Sequence, residues 1–250
     1  MSAVLQTFNL VKTFGGITAT DDVTFSLEKG ARHALIGPNG AGKTTFVNLL
    51  TGVLRPTSGR VTLMGQDITG LSREARVKRG VARTFQINQL FGTMTPLEMI
   101  TLVTAERLGR GMRLFQRLDT DGEAIAETAD ILARFKLEDI MDQRIATLPY
   151  GKQRQIEIAA AFAARPSVLL LDEPAAGVPE AERRELLETV AALPDDVSVL
   201  LIEHDMDIIF RFATKITVLV NGRVLTEGEP AAVARDPAVK QAYLGEAAHV

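Results

Sequence analysis

The spacing of apolar residues changes along the chain, and each change predicts a change of structural element. Residues 4–64 contain short apolar runs separated by turn residues, which predict strands at 4–10, 23–27, 31–36 and 60–64. One helix is predicted inside this stretch, at 43–50, ending near Gly52. The segment Glu28-Lys29-Gly30 is predicted to form a hairpin turn. The first quarter of the chain is therefore expected to be rich in strands.

Helical spacing begins at about residue 86 and continues to about 147. Within it, Ile125, Ala129, Leu132 and Phe135 are predicted to share one helix face. After residue 153 the predicted elements alternate, as helix to about 164, strand 168–171, helix 180–193, strand 197–202, helix 206–212, and strands 216–220 and 223–226. This alternation is typical of a parallel sheet with helices on both faces.

The elements together predict an α/β fold in one domain of two lobes. The expected parts are a mixed or parallel sheet core, an antiparallel β subdomain and a helical insertion. The core lobe is predicted at about 1–86 and 154–250, and the helical lobe at about 87–153.

Composition narrows the class of protein. The 250 residues are 46% hydrophobic, enough for a buried core. The formal net charge is only -3 and tryptophan is absent, which argues against nucleic acid as a partner. The chain contains no cysteine, so disulfides, thiolate metal sites and cysteine nucleophiles are excluded. No apolar run is long enough to span a membrane, and no export signal is visible.

A phosphate-binding loop is predicted after the strand at 31–36. The segment Gly37-Pro38-Asn39-Gly40-Ala41-Gly42-Lys43-Thr44 matches G-x-x-x-x-G-K-[ST] between a strand and a helix. Its N–H groups and the positive helix end suit phosphates. Lys43 is expected to reach the β- and γ-phosphates, Thr44 to bind Mg²⁺ and Thr45 to contact the α-phosphate. A Gly-rich turn without a ligand is the alternative, and the loop alone does not separate kinases, GTPases, helicases and transport ATPases.

Two carboxylates follow the next buried strand, at the sheet edge where open parallel sheets bind ligands. Asp172 is predicted to hold Mg²⁺, and Glu173 to accept a proton from the attacking water. A charged turn is the alternative for this pair. His204 follows the strand at 197–202 and is predicted to contact the γ-phosphate. Its alternative is a capping or surface residue.

A short segment between these pieces carries a resemblance to a known family. Leu148-Pro149-Tyr150-Gly151-Lys152-Gln153 precedes the carboxylate strand and resembles the LSGGQ-type signature of ABC ATPases. The resemblance extends from Phe8 to Gly245 and implies a P-loop NTPase with a RecA-like core. It also implies that Gln86 is the Q-loop glutamine that contacts Mg²⁺ and the water. Phe14 resembles the aromatic residue that stacks on adenine.

The resemblance implies a mechanism that needs two subunits. In this family the signature helix of one subunit closes over the ATP held by the other. Pro149, Tyr150, Gly151, Lys152 and Gln153 are therefore expected to face the partner's nucleotide, with the Gly151 N–H donating to its γ-phosphate. Closure would drive a membrane permease. Glu173, Lys43, Gln86 and His204 are the implied catalytic residues, and product release would reopen the pair.

Five segments, 14–16, 80–86, 148–153, 172–177 and 242–246, are similar to the ATPases of branched-chain amino acid importers. This similarity implies uptake of branched-chain amino acids or a related small solute. The implied partners are transmembrane permease subunits, a second ABC ATPase subunit and an extracytoplasmic solute-binding protein, at the cytoplasmic face of the membrane. ATP and Mg²⁺ are the implied cofactors.

Other functions remain open at this point. The tail also resembles the ATPase of lipopolysaccharide export. A soluble ABC ATPase acting on DNA or the ribosome usually has two such domains or long coiled coils, and neither is visible. A P-loop kinase or GTPase would not explain the signature segment or His204.

Three positions depart from the family signature, since Pro149 replaces Ser, Tyr150 replaces Gly and Lys152 replaces Gln. In addition, residues 175–179 lack the Asp that usually couples the two sites. We therefore hypothesise that the site completed by this signature hydrolyses ATP less well, as in a heterodimer with unequal sites.

A contact with the permease is predicted in residues 89–99. This segment places Leu90, Phe91 and Met94 beside Gln86. Burial of these three apolar side chains in the core is the alternative.

Overall fold

The computed structural model of the protein describes residues 2–84, 90–110 and 122–247. The chain packs as two compact units, each built from separated segments. Unit 1 consists of Met1–Val81, Ser167–Glu173 and Pro194–Val250. Unit 2 consists of Ala82–Pro166 and Pro174–Leu193.

The predicted lobes differ from these units in two long segments, and unit 2 also begins at Ala82 rather than at about residue 87. The lobe boundaries stay a prediction. Residues 154–166 and 174–193 pack with unit 2, whereas the sequence assigned them to the core lobe. The first difference arises because helix α5, Tyr150–Ala163, is continuous across residue 153. The second arises because helix α6, Glu180–Ala191, packs beside α5.

Unit 1 contains an antiparallel sheet with strand order β2-β1-β4-β5 among the described residues. Its strands are β1 Ala3–Phe14, β2 Ile17–Glu28, β4 Ser58–Leu63 and β5 Gln66–Asp67. Strands β1 and β2 form a long hairpin that closes where Phe14 pairs with Ile17. This hairpin is longer than the predicted strands because it includes residues 11–14 and 17–22, most of which are half-buried or exposed.

The second sheet has the order β10-β9-β3-β8-β7-β6 in the described part of the chain. The strands are β3 Arg32–Ile36, β6 Val81–Arg83, β7 Val168–Asp172, β8 Ser198–Ile202, β9 Lys215–Val220 and β10 Arg223–Gly228. Strands β9, β3, β8 and β7 are parallel to one another, and β10 is antiparallel to β9. All residues of β3, β7 and β8 are buried, as expected for strands covered on both faces. The predicted α/β fold with an antiparallel β subdomain is thus confirmed.

The predicted hairpin turn at Glu28-Lys29-Gly30 is wrong. The turn itself forms, with Ala31 N donating to Glu28 O at 3.1 Å, but β2 and β3 belong to different sheets. Strand β2 already pairs with β1 along its length. The turn at residues 28–30 therefore leads from β2 in the first sheet to β3 in the second.

Helix α1, Lys43–Thr51, is the central helix of unit 1. Its Phe46 ring meets Phe25 of β2 edge-on, with ring centroids 5.6 Å apart. The carbonyls at its C-terminus are held by Arg76 of helix α2, Arg73–Lys78, which donates to Leu49 O and Leu50 O at 2.7 Å each. Burial lowers the pKa of Arg76 to about 10, so this guanidinium still carries its charge at neutral pH. The remaining helices of unit 1 are α7 Met206–Phe212, α8 Pro230–Val233 and α9 Pro237–Ala247.

Unit 2 is helical in its described part. Helix α3, Pro96–Arg107, begins with a capping box in which Thr95 and Glu98 exchange hydrogen bonds. Helix α4, Gly122–Arg134, lies beside α3, and 3-10 turns follow at Glu138–Ile140 and Ile145–Thr147. No helix of the described residues is long and apolar enough to span a bilayer.

The apolar face predicted for the segment of α4 is only partly buried. Leu132 and Phe135 are buried, whereas Ala129 is exposed and Ile125 is only half-buried. The face that packs inward includes Ala124 and Thr128. Thr128 is buried because its hydroxyl accepts a hydrogen bond from Thr101 of α3 at 3.2 Å, and a period counted on apolar residues alone misses such a threonine.

Candidate functional site

The loop between β3 and α1 ends in a helix N-terminus without a side-chain cap. Gly42 is the N-cap, with φ 96°, and the first turn carries no acidic residue. The first intrahelical bond runs from Phe46 N to Gly42 O at 2.9 Å. The N–H groups of residues 43–45 precede that bond, so they lie at the open, partly positive end of the helix. This end suits an anion.

The loop is fixed by backbone contacts within unit 1. Gly222, in the turn between β9 and β10, donates from its N–H to Ala41 O at 2.9 Å. A Cβ on Gly42 would overlap Ala19 O of β2. The Lys43 ammonium lies in the loop, donating to Gly37 O and, at 3.0 Å, to Pro38 O. The lysine, the curled backbone and the exposed Asn39, Gly40 and Thr44 therefore share one small region.

The carboxylates lie at the same edge of the second sheet. Asp172 ends β7 and is 5% exposed. It is in register with Ile202 of β8, which in turn pairs with Leu35 of β3 just before the loop. Asp172 is therefore two strand positions from the loop, or roughly 10 Å.

Glu173 and His204 come together at this edge. Glu173 has φ 46°, and its N–H donates to Ile202 O at 2.9 Å, so the turn after β7 is tied to β8. Its Oε1 lies 3.6 Å from Nδ1 of His204. The His204 N–H donates to Glu203 Oε2 at 3.2 Å, and its ring is 68% exposed. The helix cap that follows is Asp205, which accepts from Asp207 N and Ile208 N, so His204 itself does not cap α7.

Phe14 and Gln86 complete the predicted nucleotide site. Phe14 is 46% exposed at the tip of the β1–β2 hairpin, and the Lys12 ammonium lies 5.0 Å from its ring centroid. An exposed ring beside a cation is suited to stacking on a base. Gln86 lies outside the described residues.

The signature residues form the start of α5 in unit 2. Pro149 is the N-cap, and the first intrahelical bond joins Gln153 N to Pro149 O at 3.1 Å. The Tyr150 ring packs against Gly177, where a Cβ would come within 3.2 Å of its Cε1. Lys152 Nζ lies 3.0 Å from Gln155 Oε1 and 3.2 Å from Glu185 Oε1.

Glu182 and Glu185 of α6 lie next to the signature, and the sequence pattern did not predict this. Glu185 pairs with Lys152, and Glu182 packs on Gly151. Their spacing of three residues places both on one face of α6. Nothing in the local pattern indicates which helix that face meets.

The segment for which a permease contact is predicted is described from residue 90 on. Phe91 is 58% exposed, while Leu90 and Met94 are half-buried. Complete burial in the core, the alternative reading of these residues, is therefore wrong for Phe91. The contact itself stays a prediction.

Comparison with known proteins assigns the family. A model of the ABC transporter family matches residues 20–176. The chain belongs to the ABC ATPases. Residues 223–249 match a second model, described as branched-chain amino acid ATP-binding cassette transporter.

Relatives of this ABC ATPase match it over its whole length. The high-affinity branched-chain amino acid transport ATP-binding protein LivG of Salmonella typhimurium is 38% identical, covering 99% of this chain and all of LivG. The corresponding protein BraF of Pseudomonas aeruginosa is 38% identical, with 98% of each chain covered. The crystal structure of an ATP-binding cassette of an ABC transporter in its ADP conformation has a TM-score of 0.86 and 31% identity, covering 98% of this chain and 100% of that chain. The predicted P-loop NTPase fold and ABC family are confirmed.

Proposed function

We propose that this chain is the ATP-hydrolysing subunit of a transporter that takes up branched-chain amino acids. The observation that carries the proposal is the full-length match to two branched-chain amino acid transport ATPases, together with the match of residues 223–249 to the branched-chain family model. That second match also favours this function over lipopolysaccharide export.

The phosphate loop fits a nucleoside triphosphate. The uncapped N-terminus of α1 offers N–H groups of residues 43–45 to phosphate oxygens. The Lys43 ammonium lies within the loop, where it donates to Gly37 O and Pro38 O, and it would donate to a phosphate bound there. Phe14 supplies an exposed ring for adenine.

The donor set also fits Mg²⁺. The exposed hydroxyl of Thr44 and the carboxylate of Asp172 lie at the same sheet edge, and Gln86 is assigned to the metal by resemblance. Magnesium commonly takes one or two protein oxygens, with phosphates and waters as the other ligands. When bound, the ion would offset negative charge on the phosphates.

Glu173 is assigned the role of general base. Its backbone is tied to β8 by the bond to Ile202 O, which fixes the carboxylate beside His204. The carboxylate would accept a proton from the attacking water. His204, with an exposed ring 3.6 Å from Glu173, would donate to the γ-phosphate and orient the base.

The signature of this chain is assigned to bind the nucleotide that a second ATPase subunit holds. Residues 150–152 present N–H groups at the start of α5 that precede its first intrahelical bond, and these would receive the partner's γ-phosphate. The assembly is proposed to include permease subunits, which this ATPase would bind at the cytoplasmic face of the membrane, and an extracytoplasmic solute-binding protein.

Two variants test the enzymatic part of the proposal. Lys43→Ala should lower nucleotide affinity and reduce turnover by at least about 100-fold. The variant lacks the ammonium that would offset negative charge on the phosphoryl group being transferred. Glu173→Gln should hydrolyse poorly and yet associate into dimers when ATP is added, as light scattering would show. Unchanged turnover in Lys43→Ala would refute the assigned nucleotide site.

Uptake of labelled leucine tests the substrate. A strain from which the gene is deleted should lose uptake, and the parent gene, but not Lys43→Ala, should restore it. Normal leucine uptake in the deletion strain would show that the cargo is another solute.

A further inference from the structure

The N-terminus of α5 meets a carboxylate that comes from α6. A Cβ placed on Gly151 would overlap Oε2 of Glu182 and would lie 3.1 Å from its Cβ. The Glu182 side chain therefore packs directly on Gly151 and uses the space that a larger residue would fill. Gly151 is also the residue whose N–H is assigned to the partner's γ-phosphate.

Helix α5 has no negative charge of its own at this end. Its N-cap Pro149 makes no side-chain cap, and its first turn contains no acidic residue. Within the described ranges, Oε2 of Glu182 is buried and has no hydrogen-bond partner. The positive end of a helix stabilises a carboxylate that lies close to it, so α6 supplies the anion that the first turn of α5 lacks.

A neighbouring ion pair holds this arrangement in place. Lys152, next to Gly151, lies 3.2 Å from Glu185, which is one helical turn beyond Glu182 on α6. The pair is a second contact between the acidic face of α6 and the first turn of α5. The atom nearest to the Cβ built on Gly151 is the carboxylate oxygen at the end of a flexible side chain, so a rotamer change would move the carboxylate away without moving the backbone of α6.

We propose that Glu182 is an autoinhibitory residue, whose carboxylate occupies the signature N-terminus and opposes the arrival of a γ-phosphate held by the second subunit. Two anions brought close to the same helix end repel each other. The subunits then close only when enough ATP is bound to displace the carboxylate. This inference rests on the proposed function, since it requires that the signature faces a partner's nucleotide.

Association driven by ATP measures the effect. In a Glu173→Gln background, Glu182→Gln should reach half-maximal dimerisation at an ATP concentration about three- to tenfold lower, because one charge near a helix end is removed. Glu180→Gln is the matched control, since it removes one exposed negative charge from the same helix, and it should behave as the parent does. If Glu182→Gln needs as much ATP as Glu180→Gln, the inference is wrong.

A second measurement needs no nucleotide and no partner. Amide hydrogen exchange of residues 150–152 should become faster in Glu182→Gln than in Glu180→Gln, because the negative charge beside Gly151 is removed. Equal exchange in the two variants would contradict the contact. If the Glu173→Gln chain does not associate with ATP at all, the proposed dimer fails and this inference with it. If that chain associates normally but is insensitive to Glu182, only the inference fails.

Discussion

Single residues in the phosphate loop differ in how much space surrounds them, although their backbones are similar. Gly40 and Gly42 both have positive φ, at 76° and 96°. A Cβ on Gly40 would meet nothing within 4 Å, whereas one on Gly42 would overlap the backbone oxygen of Ala19. The loop therefore needs glycine at 40 for its backbone alone, and at 42 for its backbone and its packing.

Alanine substitutions separate these two requirements. Gly40→Ala should destabilise the protein by about 1 kcal/mol through its left-handed backbone. Gly42→Ala should cost roughly 2 kcal/mol more, because a fixed carbonyl cannot yield to the added methyl group. Urea unfolding of both variants measures the difference. Equal losses would show that Ala19 does not confine the loop.

The proline of the signature is a second test at the residue scale. Pro149 caps α5 without a side-chain hydrogen bond, so Pro149→Ser would add a hydroxyl that can bond the helix N–H groups and a γ-phosphate. We expect the ATPase rate of the assembled complex to rise severalfold. A rate equal to the parent's would show that the proline does not weaken the site.

At the scale of the element, β3 joins the loop to a polar cluster of which His33 and Thr217 are the buried members. His33 is fully buried, and its Nε2 lies 2.8 Å from Thr217 Oγ1, which donates to Glu227 of β10 at 2.6 Å. Burial is the largest cause that lowers the pKa of His33, to about 4, while Glu227 acts to raise it and Lys215 to lower it. The histidine is therefore neutral in the folded protein at pH 7.

Stability should depend on pH through this histidine. The unfolded chain binds its proton near pH 6.5 and the folded chain only near pH 4, so the free energy of unfolding should fall as the pH decreases between those values. The loss due to His33 is about 3 kcal/mol at pH 4. Urea titrations between pH 7.5 and 4 should give a shallower pH dependence for His33→Gln than for His204→Gln, whose ring is exposed. Parallel curves for the two variants would contradict the lowered pKa.

Functional residues that are adjacent in the sequence could be predicted from it. Contacts between segments far apart in the sequence could not. The loop from Gly37 to Thr44 and the pair Asp172-Glu173 follow strands that are themselves apolar runs, so local pattern sufficed to find them. The turn at 28–30 was assigned to a hairpin because its residues specify a bend but not the sheet that the next strand joins. Glu182 was missed because its role comes from α5, whose first turn is 31 residues away along the chain.

At the scale of the whole molecule, the chain passes between its two units several times. Unit 1 carries the phosphate loop, the carboxylates and His204, while unit 2 carries the signature and Phe91. The proposed nucleotide site of each subunit is thus separate along the chain from the residues proposed to meet its partners. This separation predicts that transport and nucleotide binding can be impaired independently.

Phe91→Asp tests that separation. The side chain is 58% exposed, so a charge there should barely affect folding, and binding of a fluorescent ATP analogue should be unchanged. Leucine uptake should be lost, because an apolar contact with the permease is replaced by a carboxylate. Thr93→Asp, at an exposed polar position nearby, is the control and should retain uptake. Normal transport in Phe91→Asp would show that the permease binds elsewhere.

The guanidinium of Arg76 gives α1 a fixed far end. Arg76 donates to carbonyls at the C-terminus of α1, and the N-terminus of this helix is the end proposed to bind phosphates. The helix dipole favours a cation at the C-terminus and an anion at the N-terminus, so both charges would be stabilised. A force on a bound nucleotide would then be borne by the whole nine-residue helix and by the buried Arg76 at its far end, and not by the loop alone. With a phosphate bound at residues 43–45, α1 would be held at both ends, by the anion at its N-terminus and by Arg76 at its C-terminus.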